Sequence, residues 1–237
     1  MERERPWHLY DAYDLGIESG NVTFWTAMVR EIIPPHTGEE VVLDFGCGDG
    51  QFLRLLNSMR PFTEAVGVDI DKELIAKAVS NCKAGESIRY GEPDLLNGVD
   101  QKFDLAFSQE VFWMIEDLPE LASTVFRCLK EKGEYYATMG CHIENPVWPH
   151  RRRLLKEQGF QVNDYSLDEV VSVFYDAGFE VGVKRLPVDY FNIVHPQFTR
   201  ERSMSVSKLV ESTYEHKMLL YFRRDTEWRK TTESKHS

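Results

Sequence analysis

The sequence predicts a doubly wound α/β fold, and three observations carry that reading. Strand-like and helix-like stretches alternate from Val41 to Met139, and parallel strands need long, usually helical, crossovers. A glycine cluster, Gly46, Gly48 and Gly50, directly follows the first strand-like stretch, where open parallel sheets bind their ligands. The 237 residues are 42% hydrophobic and 28% charged, an ordinary globular composition long enough for one domain with a full core.

Apolar residues at near-helical spacing predict a helix over Ile17–Ile33, ended by Pro34-Pro35. Val41–Phe45 reads as a buried strand, Gln51–Met59 as a helix and Ala65–Val68 as a second strand. Asp71–Cys82 reads as a helix with an acidic first turn. Ser87–Tyr90 and Phe103–Ser108 supply strands three and four, with a hydrophobic segment, Val111–Ile115, after the latter. Leu118–Leu129 is helical, Lys132-Gly133 a turn and Glu134–Met139 a fifth strand. Gly140–Tyr165 has no clear periodicity. Ser166 caps a helix running through Ala177, Phe179–Leu186 is a strand, Ser203–Tyr214 is helical, and Lys217–Arg224 is the last strand. The expected organisation is an N-terminal helical lid (1–40), a core (41–186 and 216–225) with a substrate-side loop at 140–165, an inserted helical cap at 187–215, and a flexible tail at 226–237.

Lys and Arg number 28 against 39 Asp and Glu, a formal charge of −11, which opposes broad binding to DNA or to an anionic membrane. The four cysteines are scattered without a C-x-x-C pair, and neither a signal peptide nor an 18-residue apolar run is present. These features predict a soluble cytoplasmic protein with reduced thiols. Cys47 reads as a small filler rather than a nucleophile, because no basic residue is near it in sequence.

Glycine lets backbone approach a ligand closely, and the helix beginning at Gln51 aims free N–H groups at the same place. A dinucleotide fingerprint would require glycine at position 51, which is Gln51, and would bring pyrophosphate against Asp44 and Asp49. A cationic or zwitterionic ligand suits those carboxylates better than NAD. Asp69, twenty-five positions after Asp44, ends the second strand. As an acceptor-only carboxylate it can take two hydroxyl donors, or it can cap the helix beginning near Asp71.

With VVLDFGCGDGQFL and AVGVDID in this order and separation, Val41–Gly140 resembles the class I methyltransferases that use S-adenosylmethionine; SLDEVVSVFYDAGFEV is similar to the family's helix-glycine-strand ending. The resemblance implies a Rossmann-like methyltransferase fold with a seven-stranded, mostly parallel sheet whose last strand is antiparallel, and S-adenosyl-L-methionine as cofactor. It puts Gly46, Cys47 and Gly48 beneath the methionine and ribose parts, Asp44 toward the methionine amino group, and Asp69, followed by Ile70, at the ribose. Asp94 and Leu95 match the adenine position, and Ser108 and Gln109 the place where backbone carbonyls meet the methionine end. Tyr13, with Tyr10 and Asp14, resembles an N-terminal lid; a surface staple is the alternative.

The reaction implied is in-line methyl displacement without a metal, so the enzyme must orient the acceptor and exclude water. Aromatic walls serve both ends. Of Phe112 and Trp113, one should pack under the sheet, and Trp113 is the pocket choice. Trp148, Tyr190 and Phe191 are further acceptor-site candidates. His142, closest to the end of the fifth strand, is the candidate general base, with Glu144 and His150 nearby; a structural histidine is the alternative. Ser108-Gln109-Glu110-Val111 lacks the N/D-P-P-Y/F stretch of nucleic-acid amino methylases, and Cys141-His142 stands where the catechol type carries metal-binding Asp-Asn. A small organic acceptor is therefore expected, acted on by a monomer or homodimer. Methylation of protein or structured RNA through Arg151–Arg153 and Arg223, Arg224, Arg229 and Lys230, or a non-catalytic S-adenosylmethionine-binding partner role, are the alternatives.

Overall fold

The computed structural model describes residues 21–83, 85–189, 191 and 205–227. Seven strands form one sheet in the order β3-β2-β1-β4-β5-β7-β6: β1 Val41–Phe45, β2 Glu64–Val68, β3 Ile88–Gly91, β4 Phe103–Gln109, β5 Leu129–Met139, β6 Phe179–Arg185 and β7 Met218–Arg224. The first five are parallel, and β7 runs antiparallel to both neighbours, β5 and β6. The doubly wound sheet and its antiparallel last strand are thus as the sequence predicts. Strand order reverses between β1 and β4, which opens a crevice at their carboxyl ends.

The helices are α1 Val22–Arg30, α2 Gln51–Met59, α3 Lys72–Asn81, α4 Leu118–Cys128, α5 Trp148–Glu157, α6 Leu167–Asp176 and α7 Val206–Tyr214. They cover both faces. On one, Leu121, Val125, Val170 and Phe174 close over Leu43, Tyr135 and Phe222; on the other, Met28, Val29, Phe52, Leu53 and Leu56 close over Val42, Phe107 and Tyr136. Burial on both faces explains why the strands read as apolar runs rather than as alternations. Local signals fix the ends: Asp71 caps α3 through the N–H groups of Glu73 and Leu74, and Ser166 with Glu169 forms a capping box on α6.

Several boundaries differ from the sequence reading. The described part of α1 stops at Arg30, not Ile33, and Ile33 is 67% exposed; residues 1–20 lie outside the described chain. Lys132 (φ 64) sits in an excursion within β5, where a two-residue step in β4 from Phe103 to Leu105 faces a five-residue step from Leu129 to Glu134. The expected turn is therefore a bulge in a longer strand. The expected irregular segment 140–165 contains a helix, α5, anchored by Trp148 and Leu155 against Trp113 and Cys141. The expected helix Ser203–Tyr214 begins at Val206 behind a Ser205 cap. Thr226 is tied to Glu131 by its N–H and hydroxyl. Among the described residues no helix is long and apolar enough to cross a membrane.

Candidate active site

The glycine loop is held from two strands. Gly46 and Cys47 donate their N–H groups to the Val68 carbonyl at the end of β2, 2.8 and 3.0 Å away. Gly48 donates to Asp69 Oδ2 at 2.8 Å, and Asp69 Oδ1 accepts from the Asp71 N–H at 3.0 Å. Asp71, not Asp69, caps α3, so the choice left open by the sequence resolves toward the loop. Each Asp69 oxygen retains a further lone pair. Gly46 has φ +81, and a Cβ there would lie 2.4 Å from Val111 Cγ2; Gly48 has φ +52 with open space where its Cβ would be. The loop thus presses on the segment after β4 and leaves a cradle at Gly48.

Close to Cys47 and Asp69 of this loop region lies Asp44, 1% exposed, with neither carboxylate oxygen hydrogen-bonded. Burial, and then the charge of Asp69, push its carboxyl well above the usual carboxylate range. A buried carboxyl without a partner, beside the half-buried Asp69, is costly in isolation and calls for a cationic donor. Asp49, by contrast, is engaged: its carboxylate accepts from Gln51 Nε2 at 2.7 Å. Cys47 is buried, its thiol donates to the Gly48 carbonyl, and burial and the Asp44 and Asp69 charges push that thiol up, away from nucleophilic use.

Ile70, 81% exposed, stands beside Asp69. Asp94 is exposed in the 3-10 turn Pro93–Leu96, and Leu95 packs on the core. Ser108 is fully buried between Phe45 O and the Tyr135 hydroxyl, each at 2.8 Å; Gln109 joins Thr138 to Met28 of α1. Asp44, Gly46, Cys47, Gly48, Asp69, Ile70, Asp94, Leu95, Ser108 and Gln109 therefore gather along the carboxyl ends of β1 to β4.

The acceptor-side residues divide differently. Phe112 stacks on Phe174 in the core, ring centroids 5.3 Å apart, whereas Trp113 turns to the other side and meets Trp148 at 6.4 Å. Trp148 Nε1 donates to Asp164 Oδ1 at 2.8 Å. His142 needs correcting as a base. It is fully buried, with Nδ1 2.9 Å from Glu144 Oε2 and Nε2 2.8 Å from the His216 carbonyl, so an acceptor occupies each ring nitrogen. Both ring nitrogens are thus engaged within the protein rather than turned to an acceptor, and the ring joins the β5–α5 connection to the turn before β7. Tyr13 and Tyr190 lie outside the described residues; Phe191 is 89% exposed.

Two residues that the sequence reading left without an acceptor-site role stand out. Glu110, the first residue past β4, has φ 58 and pairs with Lys217 at 2.6 Å, and both side chains are largely buried. Glu110 sits where the strand-end rule points, so that signal was present; Lys217 reads in sequence only as the start of a strand. Among the described residues no group of three or more His, Cys, Asp or Glu side chains is placed to hold a metal.

A family described as a methyltransferase domain matches residues 43–137. The chain is 25% identical to phosphoethanolamine N-methyltransferase 3 of Arabidopsis thaliana over 155 residues, 63% of this chain and 31% of the relative. It is 28% identical to a trans-aconitate 2-methyltransferase of Escherichia coli over 151 residues, 62% of this chain and 59% of the relative. It thus spans under two thirds of either relative. Among solved structures, a methyltransferase in complex with the Haloferax volcanii Trm112 methyltransferase activator superposes with a TM-score of 0.75 at 21% identity, covering 91% of this chain and 95% of that one. Geranyl diphosphate C-methyltransferase from Streptomyces coelicolor, bound to Mg2+, geranyl diphosphate and S-adenosyl-L-homocysteine, gives 0.66 at 17% identity, covering 93% and 86%. Residues 43–137 thus match a methyltransferase domain, and the chain around them has the fold of solved methyltransferases.

Proposed function

We propose that this chain is a cytoplasmic enzyme that transfers a methyl group from S-adenosylmethionine to a small organic acceptor by in-line displacement without a metal. The observation that carries the reading is Asp44, a buried carboxyl with two unpartnered oxygens at the end of the strand that leads into the glycine loop. That donor set fits the cofactor. Asp44 would receive its amino group, Asp69 its ribose hydroxyls, Ile70 and Leu95 with Asp94 its adenine, and Gly46 and Gly48 would let the backbone approach. Bound S-adenosylmethionine supplies a methyl group already activated by its sulfonium. The chain's own task is then to orient the acceptor and exclude water, for which Trp113 and Trp148 offer an aromatic wall. The four free thiols suit a reducing compartment.

A second reading, a protein or RNA methyltransferase working with a partner subunit, is favoured by the Haloferax neighbour in complex with an activator. Three of the basic residues it would use are paired with acids. Arg152 pairs with Asp164, Arg153 with Glu157 at 3.8 Å, and Arg223 with Glu180 at 3.8 Å and Asp225 at 3.7 Å. Arg224 donates to three backbone carbonyls. Arg229 and Lys230 lie outside the described residues. The small-acceptor reading therefore stands first.

Calorimetric titration with S-adenosylmethionine, S-adenosylhomocysteine and NAD tests the cofactor. Saturable binding of the first two alone is expected; no binding by either would overturn the reading. Transfer of labelled methyl to small acceptors rather than to RNA or protein then separates the two readings.

A further inference from the structure

Glu110 carries a combination that the cofactor does not explain. It follows β4 directly, its N–H is fixed to the Thr138 carbonyl at 3.0 Å, and it holds φ 58, a left-handed conformation that L side chains rarely adopt. Strain of this kind at a strand end is characteristic of functional positions. Oε1 is fully used, accepting from the Gly140 N–H at 2.7 Å and from Lys217 Nζ at 2.6 Å. Oε2 is buried and accepts from no N–H or O–H group, the Cys141 thiol being the other side chain close to this carboxylate. The Lys217 ammonium bonds Oε1 and lies over the Phe24 ring, 4.4 Å from the centroid, in a side chain only 8% exposed. Anchors from β4, the end of β5 and the start of β7 thus aim one carboxylate with its second oxygen unsatisfied.

The next residue places the segment carrying Glu110 relative to the glycine loop. Val111 is the side chain that a Cβ on Gly46 would strike at 2.4 Å, so the segment carrying Glu110 abuts the glycine loop itself. The Glu110 side chain keeps 18% exposure while Oε2 itself is buried, so an acceptor would meet that oxygen at the edge of a covered position. A carboxylate oxygen accepts and cannot donate while it is ionised. Burial opposes ionisation here, but the charges of Lys217 and Arg151 and the hydrogen bonds from Lys217 and Gly140 outweigh it and hold the carboxyl below its ordinary range.

The geometry points to Glu110 as the residue that receives the methyl acceptor, through Oε2, and to an acceptor that presents an N–H or O–H donor, an amine or an alcohol, rather than a bare carboxylate. This rests on the methyltransferase reading above and narrows its substrate class.

Glu110→Gln is the informative variant. The amide oxygen keeps the place of Oε1 toward Gly140 and Lys217, so the fold is retained, while the amide NH2 replaces the orphan acceptor with a donor. Wild type and variant are titrated, each with and without S-adenosylhomocysteine, using ethanolamine and glycerol as donor-bearing probes and propanoate as the carboxylate; thermal shift and ligand-observed NMR report binding. The wild type is expected to bind a donor-bearing probe, and Glu110→Gln to bind it at least tenfold more weakly with S-adenosylhomocysteine affinity within about twofold of wild type. Equal binding of the donor-bearing probe by the variant, wild-type binding of propanoate alone, or no probe binding at all would overturn the inference. So would a tenfold loss of S-adenosylhomocysteine binding in the variant, which would move Glu110 into the cofactor site. Failure of the wild type to bind S-adenosylhomocysteine sinks the cofactor reading instead, and the titrations without it still report on Glu110.

Discussion

The Asp69 carboxylate accepts the Gly48 N–H at 2.8 Å, so the acid that ends β2 and the glycine loop that follows β1 form one unit before any ligand arrives. Asp69→Ala removes an acceptor that serves both Gly48 and Asp71. Hydrogen bonds to charged groups contribute about 1.5–3 kcal/mol, so S-adenosylhomocysteine affinity is expected to fall roughly ten- to a hundredfold. Asp69→Asn, which keeps one acceptor oxygen, should lose less. Calorimetry showing wild-type affinity in Asp69→Ala would remove Asp69 from the site.

Asp44 links stability to pH in a direction unusual for a carboxyl. Burial and the neighbouring Asp69 hold its pKa well above the usual range, so the folded state binds the proton more tightly than the unfolded chain does. The wild type loses nothing below the unfolded pKa, near 4. Its stability falls as pH rises from there to the native pKa, beyond which the penalty is constant. Asp44→Asn carries no such proton and is expected to melt higher than wild type, by an amount that widens from about pH 4 upward and reaches about 1–3 kcal/mol. S-adenosylmethionine affinity should fall at least tenfold in the same variant. A melting-temperature difference that does not change with pH would show that Asp44 is not the source.

The two loop glycines should fail in different ways. Alanine at Gly46 meets both a φ of +81 and Val111 Cγ2 at 2.4 Å, a backbone cost of about 1–2 kcal/mol plus overpacking of about 1–3 kcal/mol. Alanine at Gly48 meets only the backbone cost, because nothing lies within 4 Å of its Cβ position. Gly46→Ala is expected to lower the melting temperature more. Gly48→Ala should lose only that backbone cost in stability yet lose S-adenosylhomocysteine binding, since its methyl occupies the cradle. The reverse order in thermal melts and titrations would contradict the assignment of the cradle.

Much of this site was legible because its signals are local. The glycine cluster, the acid at the end of the next strand and the Ser166 capping box each lie within a few residues of the element they control. The helix α5 was not legible, because buried Trp148 and partly buried Leu155 are its anchors among arginines, and an apolar stripe that sparse gives no periodic signal. The partners of His142 and Glu110 were illegible for another reason. His142 is satisfied by the backbone of His216, and Glu110 by Lys217, both brought close only when β7 inserts between β5 and β6.

That hidden partner makes His142 testable as a structural group. With one ring nitrogen against Glu144 and the other against the His216 carbonyl, His142 couples two connections at the carboxyl edge of the sheet. His142→Ala leaves the His216 carbonyl without its donor, at a cost of about 1–3 kcal/mol. In a domain of this size each kcal/mol moves the melting temperature by roughly 2–4 °C, so a drop of several degrees is expected. A general base instead contributes about 10²- to 10⁴-fold in rate with little effect on folding. Once an acceptor is found, the variant assayed well below its melting point should keep kcat within about tenfold of wild type, below the contribution of a base, and the same pH profile. A hundredfold loss of kcat with unchanged melting would restore His142 as the base and show that its hydrogen bonds rearrange when the acceptor binds.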